Sequence, residues 1–181
     1  MTTEALEKLK YPIGKFTIPD NITSKDIQKW IKTIEFFPDK LESLVEDFDD
    51  LQLDTPYRPG GWTVRQVIHH LADSHINSYV RFKWTLTEEK PTIKAYHEDR
   101  WALLDDGAHA DVDLSLSLIE SLHKRWAYML KGLTDEQLNR TFVHPESKAE
   151  ISLKQLIGIY DWHCRHHFAH IKELAKREDW V

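Results

Sequence analysis

One cysteine in 181 residues, Cys164, leaves no internal disulfide to be formed, which agrees with a reducing compartment. Glycine is scarce at 6 and proline at 7, so neither a loop-rich scaffold nor a low-complexity chain fits. Positive charge is also short: 24 Lys and Arg face 30 Asp and Glu, a net charge of -6 with 11 neutral histidines. Without a basic stripe, binding to nucleic acid or to an anionic membrane is not expected. No run approaches the roughly 18 apolar residues of a membrane span, and the opening MTTEALEKLK lacks the apolar centre of a signal peptide, so a cytoplasmic protein is expected. No glycine-rich phosphate loop appears, because Gly60-Gly61 runs into Trp62 and not into Lys-Ser/Thr, and no Ser-His-Asp arrangement is recognisable. Internal repeats and strand-like alternation of convincing length are missing too.

What is present is helical punctuation. Hydrophobic residues make up 41% and charged residues 30%, the balance of a soluble domain that buries about 70% of its unfolded surface. After an irregular leader over 1–22, Thr23 with Asp26 opens a helix carrying Ile27, Trp30, Ile31, Ile34, Phe37, Leu41, Leu44 and Val45, which Pro38 should kink or interrupt. Thr63 with Gln66 opens a second, bounded by Pro91. A long connection follows from Lys90 to Asp113, of a length that often borders a site. Asp113 then caps a third helix ended by Gly132, and Leu133 to Leu138 adds a short turn. Ser152 with Gln155 opens a fourth that runs to about Arg177. The expectation is an all-α four-helix bundle in one domain, 1–181, with its long connection between helices two and three.

The fourth helix carries four imidazoles in eight residues: His163, His166, His167 and His170. Residues four apart stand roughly 40° apart and about 6 Å along the axis, so His163 and His167 share a face and can bind one ion. The apolar arc of Leu153, Leu156, Ile157, Tyr160, Cys164, Phe168, Ile171 and Leu174 includes His167; His163 lies at its edge with His170 close by, and His166 turns toward solvent. A desolvated imidazole nitrogen needs a partner, which a metal, a hydrogen bond or a place on the core rim would supply. Cys164 points about 100° from His163 and reads as a buried, inert thiol. On helix two, His69, His70 and His75 are the candidates for a third ligand. His75 sits mid-arc like a core histidine, His69 reads as a surface one, and His70 shares a polar strip with Ser74 and Asn77; periodicity does not choose among them.

The run Gly60-Gly61-Trp62-Thr63-Val64-Arg65-Gln66-Val67-Ile68-His69-His70-Leu71-Ala72-Asp73-Ser74-His75, with Trp162-His163 and His167-Phe168-Ala169-His170-Ile171, resembles the DinB-like four-helix superfamily, and within it the YfiT type of metal-dependent hydrolase. Tyr11-Pro12-Ile13-Gly14 and Trp84 to Glu89 extend the likeness over nearly the whole chain. The resemblance implies His70, His163 and His167 as three metal ligands, leaving His69, His75, His166 and His170 outside the ligand set, with His170 lining the pocket. It also implies a homodimer.

Three neutral imidazoles leave a tetrahedral zinc one open position for water, the arrangement of catalytic zinc; one divalent metal per subunit is expected, zinc first, with nickel, iron and manganese compatible. Asp73, Asn77, Tyr160 and Asp161 are the nearby oxygens that could orient the ligands. Trp30, Trp84, Trp126 and Trp162 are expected to pack, while Trp101 in the long connection could cover the pocket mouth or a subunit contact. Glu88-Glu89 and Glu98-Asp99 read as solvated faces. No catalytic acid or base can be assigned. The expected function is hydrolysis of a small-molecule substrate by metal-activated water. The alternatives are S-transfer from a low-molecular-weight thiol of the bacillithiol type, as in some DinB-like relatives, and a non-enzymatic metal-binding stress protein.

Overall fold

Three of the four long helices begin where the capping boxes place them. In the computed structural model, which describes residues 2–181, Thr23, Thr63 and Ser152 each accept the backbone N–H three residues on, while Asp26, Gln66 and Gln155 reach back to the cap. These satisfy amide groups that a helix start leaves without partners. They open α2 (Ser24–Val45), α4 (Val64–Thr87) and α9 (Leu153–Arg177). The third long helix, α7 (Val112–Lys131), starts earlier than expected: Asp111, not Asp113, is its cap, accepting the Asp113 N–H at 3.0 Å, so Asp113 lies in the first turn.

Pro38 does not interrupt α2, which runs unbroken past it with Pro38 buried. A proline withholds the hydrogen bond that residue i would give to the carbonyl at i−4, here Ile34. That carbonyl accepts instead from the ring Nδ1 of His123 on α7, at 2.5 Å. The leader is likewise not wholly irregular, because Thr2 caps a helix α1 (Thr3–Lys10). Short helices α3 (Asp50–Leu53), α5 (Glu98–Trp101), α6 (Asp105–His109) and α8 (Asp135–Leu138) fill the connections. Ahead of α9 lies an antiparallel hairpin, β1 (Thr141–Val143) with β2 (Glu150–Ser152), absent from the sequence expectation because three residues are too few to show a period of two.

The four long helices form the bundle. Helix α2 packs on α7 and α9, and α4 packs on the same two, so the order around the bundle is α2, α7, α4, α9 and consecutive helices α2 and α4 stand diagonally. Ile34, Leu41, Ile68, Leu71, Phe82, Ile119, Trp126, Leu130 and Ile157 are fully enclosed between them. Burial of each such side chain contributes about 1.5–3 kcal/mol relative to exposure. The consequence for function is that α4 and α9, the two histidine-rich helices, are neighbours. Among the described residues no helix is long and apolar enough to cross a membrane.

Candidate metal centre

His70 on α4 and His163 on α9 point their Nε2 atoms at each other, 3.3 Å apart. Two imidazole nitrogens bound to one tetrahedral zinc at about 2.0–2.1 Å would be separated by about 3.4 Å. One ring nitrogen of His167 completes the group, all three donor atoms lying within 4.8 Å of one another. The ring centroids of His167 are 4.8 Å from His70 and 4.5 Å from His163, both edge-on. The structure thus brings together two segments almost a hundred residues apart at the face where α4 meets α9.

Burial keeps the rings neutral, the state in which imidazole binds metal. Desolvation, reinforced by the neighbouring His170, pulls His70 down to about 4. Desolvation, then the surrounding histidines, holds His163 and His167 well below their ordinary value. The Nδ1 of His167 is enclosed and has no hydrogen-bond partner, as are the Nδ1 atoms of His166 and His170. Buried polar atoms left unpaired are costly and uncommon in folded proteins, and His166, His167 and His170 form a second group whose donor atoms lie within 4.8 Å of one another, sharing His167 with the first.

The trio forms part of the wall of a cavity of about 500 Å³, shared with Tyr57, Trp62, Ser74 and Tyr96. Trp62 leans over His70 with centroids 4.6 Å apart. Ser74 Oγ lies 3.4 Å from His163 Nε2 and 3.2 Å from the Tyr160 hydroxyl, so the polar strip expected of α4 does reach the site. Tyr96 was not anticipated: it enters from the long connection, where no periodicity marks its direction, and Trp101 backs it at 4.8 Å without lining the cavity itself. Glu98 is the one carboxylate among the lining residues described.

Two surface expectations fail. His166 is buried, because Trp162 stacks on it at 4.2 Å and Tyr11 of the leader covers it at 5.9 Å. The leader is moored there by Trp162 Nε1, donating to Gly14 O at 3.0 Å, and by His170 Nε2, donating to Lys10 O at 3.0 Å. His69 is buried as well, donating from Nε2 to Ala110 O at 3.1 Å while its Nδ1 meets the Ser115 hydroxyl at 2.7 Å. His75 is the enclosed core histidine expected, and His170 lines the cavity. Cys164 is fully buried with its thiol pushed well up by desolvation, so it is no nucleophile at neutral pH. Of the oxygens expected to orient the ligands, Asp161 is held by Arg165 and the Asn77 amide donates to Asp73 O. The group that meets the far nitrogen of His163 is another imidazole, His75, at 3.1 Å.

With this geometry in view, the comparisons are unambiguous: the model of the DinB superfamily matches residues 33–171. The chain belongs to the DinB superfamily. Its DinB relatives include a Bacillus subtilis (strain 168) protein named "Putative metal-dependent hydrolase YfiT", 52% identical over 172 residues, or 95% of this chain and 97% of that one. A Bacillus cereus (strain 03BB102) protein named "Putative metal-dependent hydrolase" is 54% identical over 175 residues, 97% and 100% of the two chains. The solved structure of the Bacillus subtilis YfiT, described as a four-helix bundle of unusual topology, superimposes with a TM-score of 0.94 at 51% identity, covering 96% of this chain and 99% of that one. The names of these DinB relatives and the histidine cluster agree on a metal-dependent function.

Proposed function

We propose that this chain is a metal-dependent hydrolase in which His70, His163 and His167 hold one divalent cation, zinc by preference, with nickel, iron and manganese compatible with the donor set. The observation that carries the reading is the 3.3 Å approach of two neutral Nε2 atoms from different helices, with a third buried imidazole beside them, at the wall of a cavity sized for a small molecule. A cation bound there supplies a Lewis acid that makes water a nucleophile near neutral pH. The chain supplies the rest. Trp62, Tyr57 and Tyr96 line the cavity with aromatic rings, and the Ser74 hydroxyl offers a hydrogen bond beside His163. Lys10 and Arg58, both lining the cavity, attract an anionic group on the substrate.

A second reading, S-transfer from a low-molecular-weight thiol, is favoured by one observation: Glu98 is exposed and is the single carboxylate among the lining residues described. A thiol, with a pKa near about 8.5 against about 15.7 for water, needs less help to lose its proton. Turnover of metal-loaded protein on ester and amide substrates, set against a thiol paired with an electrophile, separates the two. Hydrolysis that falls at least a hundredfold in His163→Ala supports the proposal. Turnover only with thiol overturns it in favour of transfer, and no turnover in either assay leaves a metal-holding protein.

A further inference from the structure

A line of three imidazoles crosses the bundle behind the candidate metal centre. His163 Nδ1 on α9 lies 3.1 Å from His75 Nε2 on α4; His75 Nδ1 lies 2.7 Å from His123 Nε2 on α7; and His123 Nδ1 lies 2.5 Å from the Ile34 carbonyl on α2. Each of the four long helices contributes one member. His75 and His123 are fully enclosed, so water cannot substitute for any partner along the line.

Only the far end has a fixed polarity. A carbonyl oxygen accepts and never donates, so His123 must carry its proton on Nδ1. Burial keeps His123 neutral, its pKa pulled down to about 4, so its Nε2 is a lone pair and accepts. His75 Nδ1, 2.7 Å from that lone pair, must then donate; with no carboxylate in the line to pair with a second proton, the enclosed ring carries one N–H, so its Nε2 accepts and His163 donates from Nδ1. The sole remaining lone pair in the line is His163 Nε2, the atom facing His70.

The Ile34 carbonyl is available for this role because Pro38, four residues on, has no N–H to give it. An alanine at 38 would offer that carbonyl an in-helix donor. We infer that Pro38, the Ile34 carbonyl, His123 and His75 together set the tautomer of His163, holding its Nε2 unprotonated toward the site. His75 and His123 are positioning residues that act through His163 and touch no ligand. The inference rests on the proposed role of His163 for its consequence in metal binding, but its protonation pattern belongs to the metal-free chain and is tested there.

The test is nitrogen-15 NMR of histidine-labelled, metal-free protein, paired with cobalt(II) affinity. In the wild type His123, His75 and His163 should all be protonated at Nδ1. His123→Phe removes the acceptor for His75, which should turn its proton to Nε2, send His163 to the Nε2–H form and weaken cobalt binding by about 10- to 100-fold. His123→Gln, whose amide can donate to Ile34 and accept from His75, should restore the Nδ1–H form of His163 and most of the affinity. A role in packing alone would change stability without moving the His163 proton. A wild-type His163 protonated at Nε2 overturns the inference whether or not any variant folds, as does folded His123→Phe with unchanged tautomer and affinity. Wild-type protein with the expected protons but no cobalt binding would instead overturn the proposed metal site.

Discussion

A proline in the middle of a helix is ordinarily a defect, since one carbonyl loses its partner at a cost of about 1–3 kcal/mol when buried. Pro38 escapes that cost because His123 supplies a donor from the neighbouring helix. The same exchange explains why a sequence reader sees a kink there: the compensating group lies 85 residues away and no local pattern announces it. Other residues were legible for local reasons. His163 and His167 follow from spacing four apart, and His75 from its place mid-arc. His70 was singled out from His69 by resemblance alone, and the structure shows why periodicity was insufficient, since both are buried against different neighbours. His166 reads as solvent-facing because helical spacing carries no trace of Trp162 stacking over it or of the leader crossing it.

At the scale of elements, the capping boxes at Thr23, Thr63 and Ser152 place the starts of α2, α4 and α9 to the residue because a long apolar period follows each. The boxes at Asp49 and Thr134 instead open four-residue helices that, like the short helices of the long connection and the three-residue strands, carry too few positions to show a period. Packing between elements sets its own constraints. Gly158 of α9 sits against Trp30 of α2, where an added Cβ would come within 3.0 Å of two ring carbons. Alanine favours a helix over glycine by about 1 kcal/mol, but overpacking against an enclosed ring costs about 1–3 kcal/mol. Because Trp30 is itself buried, the second effect should win, and Gly158→Ala should lose roughly 1 kcal/mol in chemical denaturation. A variant more stable than the wild type would mean that the α2–α9 contact yields more readily than its geometry implies.

At the scale of the whole molecule, the buried imidazoles tie stability to pH. Burial first, then neighbouring histidines or cations, lowers His70 and His170 to about 4 and His166 to about 3; burial lowers His123 to about 4. Unfolded, each titrates near 6.5. Between these values the unfolded chain binds more protons, so the stability that is complete above pH 6.5 is lost as pH falls toward 4, at up to about 1.4 kcal/mol per pH unit for each buried ring. Asp73 opposes this weakly: burial, then Asp106, raises its carboxyl to about 6, and the stability of its neutral form is lost as pH rises through that value. The midpoint of urea unfolding should therefore change little from pH 8 to 7 and drop steeply below pH 6. A flat profile down to pH 4.5 would contradict neutral, enclosed histidines.

The same neutrality is what makes the cluster a receptor for a cation, and metal content reads it most directly. Untagged protein, loaded with zinc and dialysed, should retain one ion per chain, and His70→Ala, His163→Ala and His167→Ala should each retain close to none while keeping their helical content. A wild type that keeps no ion, or three variants that each keep a full equivalent, would contradict the account.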